Sequence, residues 1–201
     1  MKNRHCEEQW RRSNLAMELR TGLLRYARND IVSFYGLILN PMNEKEMFLS
    51  SYEREYGITL KFLEAFPAEN SDFRPNAHLQ SAQEIAWMFP EEERILISGA
   101  LDGDVVFKKN TPPETFDEIK KTYEDAHRML AERIKELPDT GFNEMITFGS
   151  GSDNAQEMRR GDVLWLAVMD AAHHRGQFSV YIKMAGGNVP SLSDLYEAAT
   201  S

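Results

Sequence analysis

A long apolar run from Leu164 to Met184 is the feature that most constrains how this chain folds. Its apolar residues recur at helical spacing and cover a broad face, which predicts one long, largely buried helix. Asp170 and His174 interrupt that face four residues apart, so they lie one turn from each other on the same side. A carboxylate buried alone is costly. Asp170 therefore needs a partner: His174, a cation such as Arg175 or Arg94, or a divalent metal ion.

Three further segments show helical spacing, and each has a recognisable start signal. The first predicted helix runs from Asn43 to near Phe66, and the second from a capping box of Ser81 and Glu84 to near Leu101. The third starts in the segment from Thr111 to Glu114 and ends near Leu137, and the fourth runs from near Gly161 to near Ala185. Pro90 should kink the second helix. Residues 143–160 have no regular pattern, and no segment has a strong strand pattern. Four such helices favour an all-α fold of the four-helix-bundle type.

Composition narrows the class of protein. A length of 201 residues suits one domain, and no stretch approaches the roughly 20 consecutive apolar residues of a membrane span. A net charge of −9 argues against a nucleic-acid partner, because phosphate binding needs a basic surface. The single cysteine, Cys6, excludes an intramolecular disulfide and a cysteine-rich metal site. We expect a protein of the cytoplasm, without membrane or nucleic-acid partners.

Residues 1–41 differ in charge from the rest of the chain. They carry seven basic and four acidic residues, a charge of +3, which leaves −12 for residues 42–201. Parts of this segment, such as Arg4 to Gln9, resemble the translation of a dispersed bacterial genomic repeat. We therefore expect a poorly ordered N-terminal extension that arises from an over-long gene prediction, with the true start at Met42. The alternative is an Arg-rich targeting segment, against which the acidic residues and the lack of a signal-peptide core argue. The folded domain is predicted to span residues 42–201.

The segment from Asp170 to Tyr181, which contains the motif His-Arg-Gly-Gln at residues 174–177, resembles the DinB-like superfamily of bacterial metal-binding four-helix bundles. The segment from Gly186 to Ser191, the pair Arg74-Pro75 and the residues 81–87 that open helix two add to the resemblance, which covers about residues 42–191. The resemblance implies a divalent-metal site of three helix-borne ligands, commonly histidines, often in a homodimer. Characterised members of the superfamily include thiol-cofactor-dependent transferases and isomerases.

The chain departs from that ligand pattern at two of the three positions. The position in helix two that is usually histidine corresponds to Met88, and the position four residues before His174 is Asp170. Asp170 is a competent ligand, whereas the neutral thioether of Met88 is a poor one for zinc or nickel. Glu92, one turn beyond Met88, could substitute for it as the third ligand. His173 is a weaker substitute, because adjacent helical residues diverge by about 100° around the axis.

Two functional hypotheses follow. The first is a metal-dependent transferase or hydrolase that acts on a small-molecule or thiol substrate, in which Asp170, His174 and Glu92 hold zinc, nickel or manganese at a degenerate site. The second is a metal-free bundle that serves as a small-molecule binding or dimerisation module, with His174 hydrogen-bonded to Asp170. The sequence identifies neither a catalytic residue nor an organic cofactor site.

The remaining polar residues have simpler interpretations. We expect His78 and His127 at the surface, His173 at the edge of its helix, and Arg175 and Gln177 in structural contacts. The run Glu91-Glu92-Glu93 is typical of a solvated helix face.

Overall fold

The computed structural model describes residues 42–191 of the chain. Its helices are α1 (Glu44–Ala65), α2 (Ala82–Ala86), α3 (Met88–Glu92), α4 (Gly99–Asp102), α5 (Phe116–Glu136) and α6 (Arg160–Met184). A π-helical turn, Glu93–Ser98, joins α3 to α4, and short 3₁₀ turns occupy Ala68–Asn70 and Asp139–Asn143. The predicted N-terminal extension lies outside the described residues. No helix within residues 42–191 is both long enough and apolar enough to cross a membrane.

The bundle consists of α1, α5, α6 and a segmented helix formed by α2, α3, the π-helical turn and α4 in succession. The break between α2 and α3 falls at Trp87. Pro90 accounts for it, because a proline has no N–H to bond the carbonyl of Ala86 four residues earlier. The helix is thus interrupted beside Pro90, while the backbone of Trp87 keeps right-handed helical dihedral angles. The π-helical turn that follows buries Glu93, Ile95, Leu96 and Ile97.

Local signals fix most of the helix starts. Asn43 with Glu46, and Ser81 with Glu84, form complete capping boxes in which side chain and backbone satisfy each other. The third helix was expected to start at Thr111, but its N-cap is Thr115, which forms a capping box with Glu118. Two satisfied hydrogen bonds at Thr115 outweigh the weaker proline signal at residues 112–113. At the C-terminal end of α6, Gly186 adopts a φ of +88°, a left-handed conformation that glycine tolerates best.

Three short strands were not predicted. They are β1 (Asp104–Val105), β2 (Met145–Phe148) and β3 (Gln156–Arg159). β2 pairs antiparallel with β3 and parallel with β1. Strands of two to four residues are too short to show a reliable alternation of apolar and polar residues, so the segment 143–160 looked irregular in the sequence.

Two apolar clusters fill the interior. One lies beside the sheet and contains Phe48, Leu130, Phe142 and Leu164, and the other contains Phe62, Phe89, Phe116 and Phe178. Full burial of each such side chain contributes roughly 1.5–3 kcal/mol to the stability of the fold. Both clusters contain residues of α6, which confirms that the long apolar run forms one helix with a broad apolar face.

Candidate metal centre

Helix α6 carries two residues of the candidate site, Asp170 and His174, on the side that faces the segmented helix. The Nδ1 atom of His174 lies 3.9 Å from Oδ1 of Asp170. His174 is buried, whereas the side chain of Asp170 retains 41 % of its exposure. The two residues thus face one point, as their spacing predicts, but they are too far apart for a direct hydrogen bond.

Glu92 of α3 supplies the group that meets His174. Its Oε1 atom is hydrogen-bonded to Nδ1 of His174, and the residue is buried. Its second oxygen, Oε2, is buried and has no hydrogen-bond partner among residues 42–191. A buried carboxylate oxygen without a partner is costly and uncommon in folded proteins. The arrangement therefore leaves one acceptor available to a ligand.

Glu92, Asp170 and His174 form one cluster. One ligand atom from each lies within 4.8 Å of the other two. Ligand atoms that share one zinc ion at about 2.0–2.2 Å lie up to roughly 4 Å apart, so small side-chain movements would bring the three into contact with a single ion.

Burial and hydrogen bonding shift the pKa values of two of these groups. Burial raises the pKa of Glu92 to about 7, although the hydrogen bond with His174 opposes that shift. The same hydrogen bond raises the pKa of His174 above its ordinary value. Near neutral pH the pair therefore holds a proton between the carboxylate and the imidazole, at the position where a metal ion would compete for the same atoms.

Met88 lies in the wall of a cavity of about 360 Å³ that also contacts Glu92 and Asp170. The position that resembles the usual histidine is thus close to the cluster, and Glu92, one helical turn further on, supplies a donor from the same segmented helix.

The run Glu91-Glu92-Glu93 was expected to form a solvated face, and this expectation is wrong. All three residues are buried, with 4–7 % of their surface exposed. Each has its own partner: Arg94 for Glu91, His174 for Glu92, and Tyr52 for Glu93. The sequence did contain a signal, because three consecutive helical residues span about 200° and must direct at least one carboxylate inward when the neighbours are apolar.

His127 was expected at the surface but is buried, with 3 % of its surface exposed. Its Nδ1 lies 3.4 Å from Glu93, its Nε2 lies 3.2 Å from Glu53, and its ring stacks on Tyr56 at 3.8 Å. The spacing of Tyr123, His127 and Leu130 on the apolar stripe of α5 would have indicated burial.

Other residues of the motif have structural contacts. Arg175 reaches α1, where it donates to Oγ1 of Thr59 at 3.0 Å and to the carboxylate of Glu55. His173 is exposed and hydrogen-bonded to Gln177 at 2.9 Å, and His78 is exposed as well. Arg175 thereby fixes α6, the helix that carries Asp170 and His174, against α1.

Comparison with known proteins agrees with this architecture. The chain is 27 % identical over 150 residues to the uncharacterised protein YrdA of Bacillus subtilis, a match that covers 72 % of this chain and 85 % of YrdA. A DinB-like protein of Bacillus cereus superposes with a TM-score of 0.63 at 22 % identity, covering 72 % of this chain and 95 % of that one. A second DinB-like protein, YjoA of Bacillus subtilis, gives a TM-score of 0.60 at 14 % identity, with 73 % and 96 % covered.

These two solved structures show the likeness of the fold. The sequence model described as the DinB family matches residues 42–200, which is most of the chain and includes all three residues of the cluster. The chain therefore belongs to the DinB family.

Proposed function

We propose that this protein is a metal-dependent transferase or hydrolase of small molecules, and that Glu92, Asp170 and His174 hold its divalent ion. The observation that carries the proposal is the buried Oε2 of Glu92, which has no partner among the described residues and belongs to a cluster with Asp170 and His174. A donor set of two carboxylates and one imidazole suits zinc, nickel and manganese, and three protein ligands leave a coordination position for substrate or water.

The residues of the site have different roles. Glu92 and His174 are buried and fix two donors in the bundle interior, while the more exposed Asp170 borders the cavity through which a small molecule enters. Arg175 holds α6 in place through Glu55 and Thr59. A divalent ion at such a site would act as a Lewis acid that lowers the pKa of a bound thiol or water.

The test uses protein purified without a histidine tag. After exposure to zinc, nickel and manganese and removal of free ions, elemental analysis should find about one equivalent of one of them per chain. His174→Gln should abolish that binding. His173→Gln is the matched control, because His173 is an adjacent but exposed imidazole, and this variant should retain the metal.

Absence of stoichiometric metal in the wild-type protein would refute the proposal and favour the metal-free binding module. Equal metal loss in the two histidine variants would refute the assignment of His174. Activity is then assayed on small thiols and esters with the metal-loaded protein, and the His174→Gln variant serves as the negative control.

A further inference from the structure

Lys109 lies in the wall of the cavity that borders the candidate metal centre. It makes no hydrogen bond or ion pair with another residue of the described segment 42–191, and its charge is close enough to His174 to oppose protonation of that imidazole. The connection from β1 to α5 carries this lysine across to the segmented helix, where the cavity opens.

The backbone on both sides of Lys109 is tied to that helix. The carbonyl of Lys108 accepts a hydrogen bond from Arg94. On the other side, the N–H of Asn110 donates to Glu91 at 2.9 Å, and the carbonyl of Asn110 accepts from Nε1 of Trp87 at 3.1 Å. These three contacts hold the Cα of Lys109 beside the cavity, although its side chain has no partner among residues 42–191.

The other charges in the wall are paired. Glu84 is bound to Arg74 at 2.9 Å, and Glu91 to Arg94 at 2.9 Å. Glu92, Asp170 and Lys109 remain. A divalent ion held by the two carboxylates would neutralise them and leave the lysine as the uncompensated charge. The metal-loaded cavity is then net positive, whereas in the metal-free cavity the charge of Lys109 does not exceed that of the two carboxylates.

The rest of the wall is largely apolar, with Trp87, Met88, Ile95, Leu96, Phe107 and Pro112 among its members. A cavity of about 360 Å³ is at the small end of the range for small-molecule sites. Apolar walls with one fixed charge favour a ligand that is mostly hydrocarbon and carries one group of opposite sign.

We infer that the substrate is a small, mainly apolar molecule with one anionic group, and that Lys109 binds this group while the apolar part fills the cavity beside the metal. This inference rests on the proposed function, since the cavity is net positive only with a divalent ion bound. Lys109 is thus a specificity-determining residue.

The experiment measures binding of octanoate and of its uncharged analogue octanamide to the zinc-loaded full chain by isothermal titration calorimetry. Zinc stoichiometry is measured first on every sample, which also shows that each variant retains the site. The wild-type protein should bind octanoate more tightly than octanamide. Lys109→Met should weaken octanoate binding about tenfold and leave octanamide binding unchanged. Lys108→Met is the matched control and should alter neither affinity, because Lys108 contributes only its carbonyl to the contacts above.

Several results would overturn the inference. Octanoate binding that is no tighter than octanamide binding would exclude selection for an anion, and failure of both ligands to bind would exclude the apolar subsite. A preference for octanoate that survives Lys109→Met undiminished would assign the anion to the metal instead. If none of zinc, nickel and manganese binds, the inference and the proposed function both fail; if the metal binds without any carboxylate preference, only the inference fails.

Discussion

Glu92 is predicted to reduce the stability of the metal-free protein above neutral pH. Its pKa is about 7 in the folded state, compared with an ordinary value of 4.5. A raised carboxyl pKa means that the folded state binds the proton more tightly than the unfolded state does. The stability that this proton contributes is present below pH 4.5 and is lost as the pH rises through 7. A difference of about 2.5 pKa units corresponds to about 3 kcal/mol, as an upper value.

Glu92→Gln should remove this dependence, because glutamine can still accept a hydrogen bond from His174 but carries no charge. In EDTA at pH 8 the variant should be more stable than the wild-type protein by about 1–3 kcal/mol. The lower figure applies because Glu92 also favours protonation of His174, and this favourable interaction offsets part of the cost of the buried charge. At pH 5, where the carboxyl is already partly ionised in the unfolded state, the difference should fall below about 1 kcal/mol. Urea denaturation monitored by circular dichroism at both pH values measures the difference, and Glu114→Gln, at an exposed carboxylate, is the control.

Zinc should reverse this order. A ligand present at about 1,000 times its dissociation constant stabilises the folded state by roughly 4 kcal/mol, and Glu92→Gln should lose most of that gain. The reasoning is refuted if the variant is less stable than the wild-type protein at pH 8 in EDTA, if the difference is the same at pH 5 and pH 8, or if zinc stabilises both proteins equally.

Three further predictions follow from the structure and the sequence. Arg175→Leu should lower the free energy of unfolding by roughly 2–4 kcal/mol, because it leaves the carboxylate of Glu55 without its largely buried partner; adding Glu55→Leu should restore part of the loss, and a single variant as stable as the wild-type protein would show that the pair contributes nothing. Met88→His should tighten zinc binding at least tenfold in a calorimetric titration, since it adds an imidazole to the cavity wall that also contains Glu92 and Asp170; unchanged affinity would mean that residue 88 cannot reach the ion. Deletion of residues 1–41 should change the melting temperature by less than about 2 °C, as the family match starts at residue 42, and a larger drop would show that the segment belongs to the folded domain.

The local parts of the fold follow directly from the sequence. Capping boxes at Asn43 and Ser81, the stop at Gly186 and the break caused by Pro90 depend on residues a few positions apart, so their chemistry is visible in the chain itself. The same holds for Asp170 and His174, because a spacing of four residues fixes their shared direction once the helix is known.

Local sequence patterns do not predict contacts between residues that are far apart in the chain. Glu92 and His174 are 82 residues apart in the chain, and they meet only when the segmented helix packs against α6. The partners of His127 were missed for the same reason, because Glu53 lies on α1 and Glu93 on the segmented helix, and both meet His127 only when the helices pack.

The sequence by itself therefore determined the helical segments of an all-α bundle, the long apolar helix α6, and one face of that helix with a carboxylate and an imidazole on it. Only the tertiary structure decided that Glu92 is the residue that meets them. It also decided that Glu92 is buried, with one carboxylate oxygen that has no partner among residues 42–191. The physical reason is that helical periodicity orients side chains about one axis, whereas a site shared between two helices depends on how those axes pack.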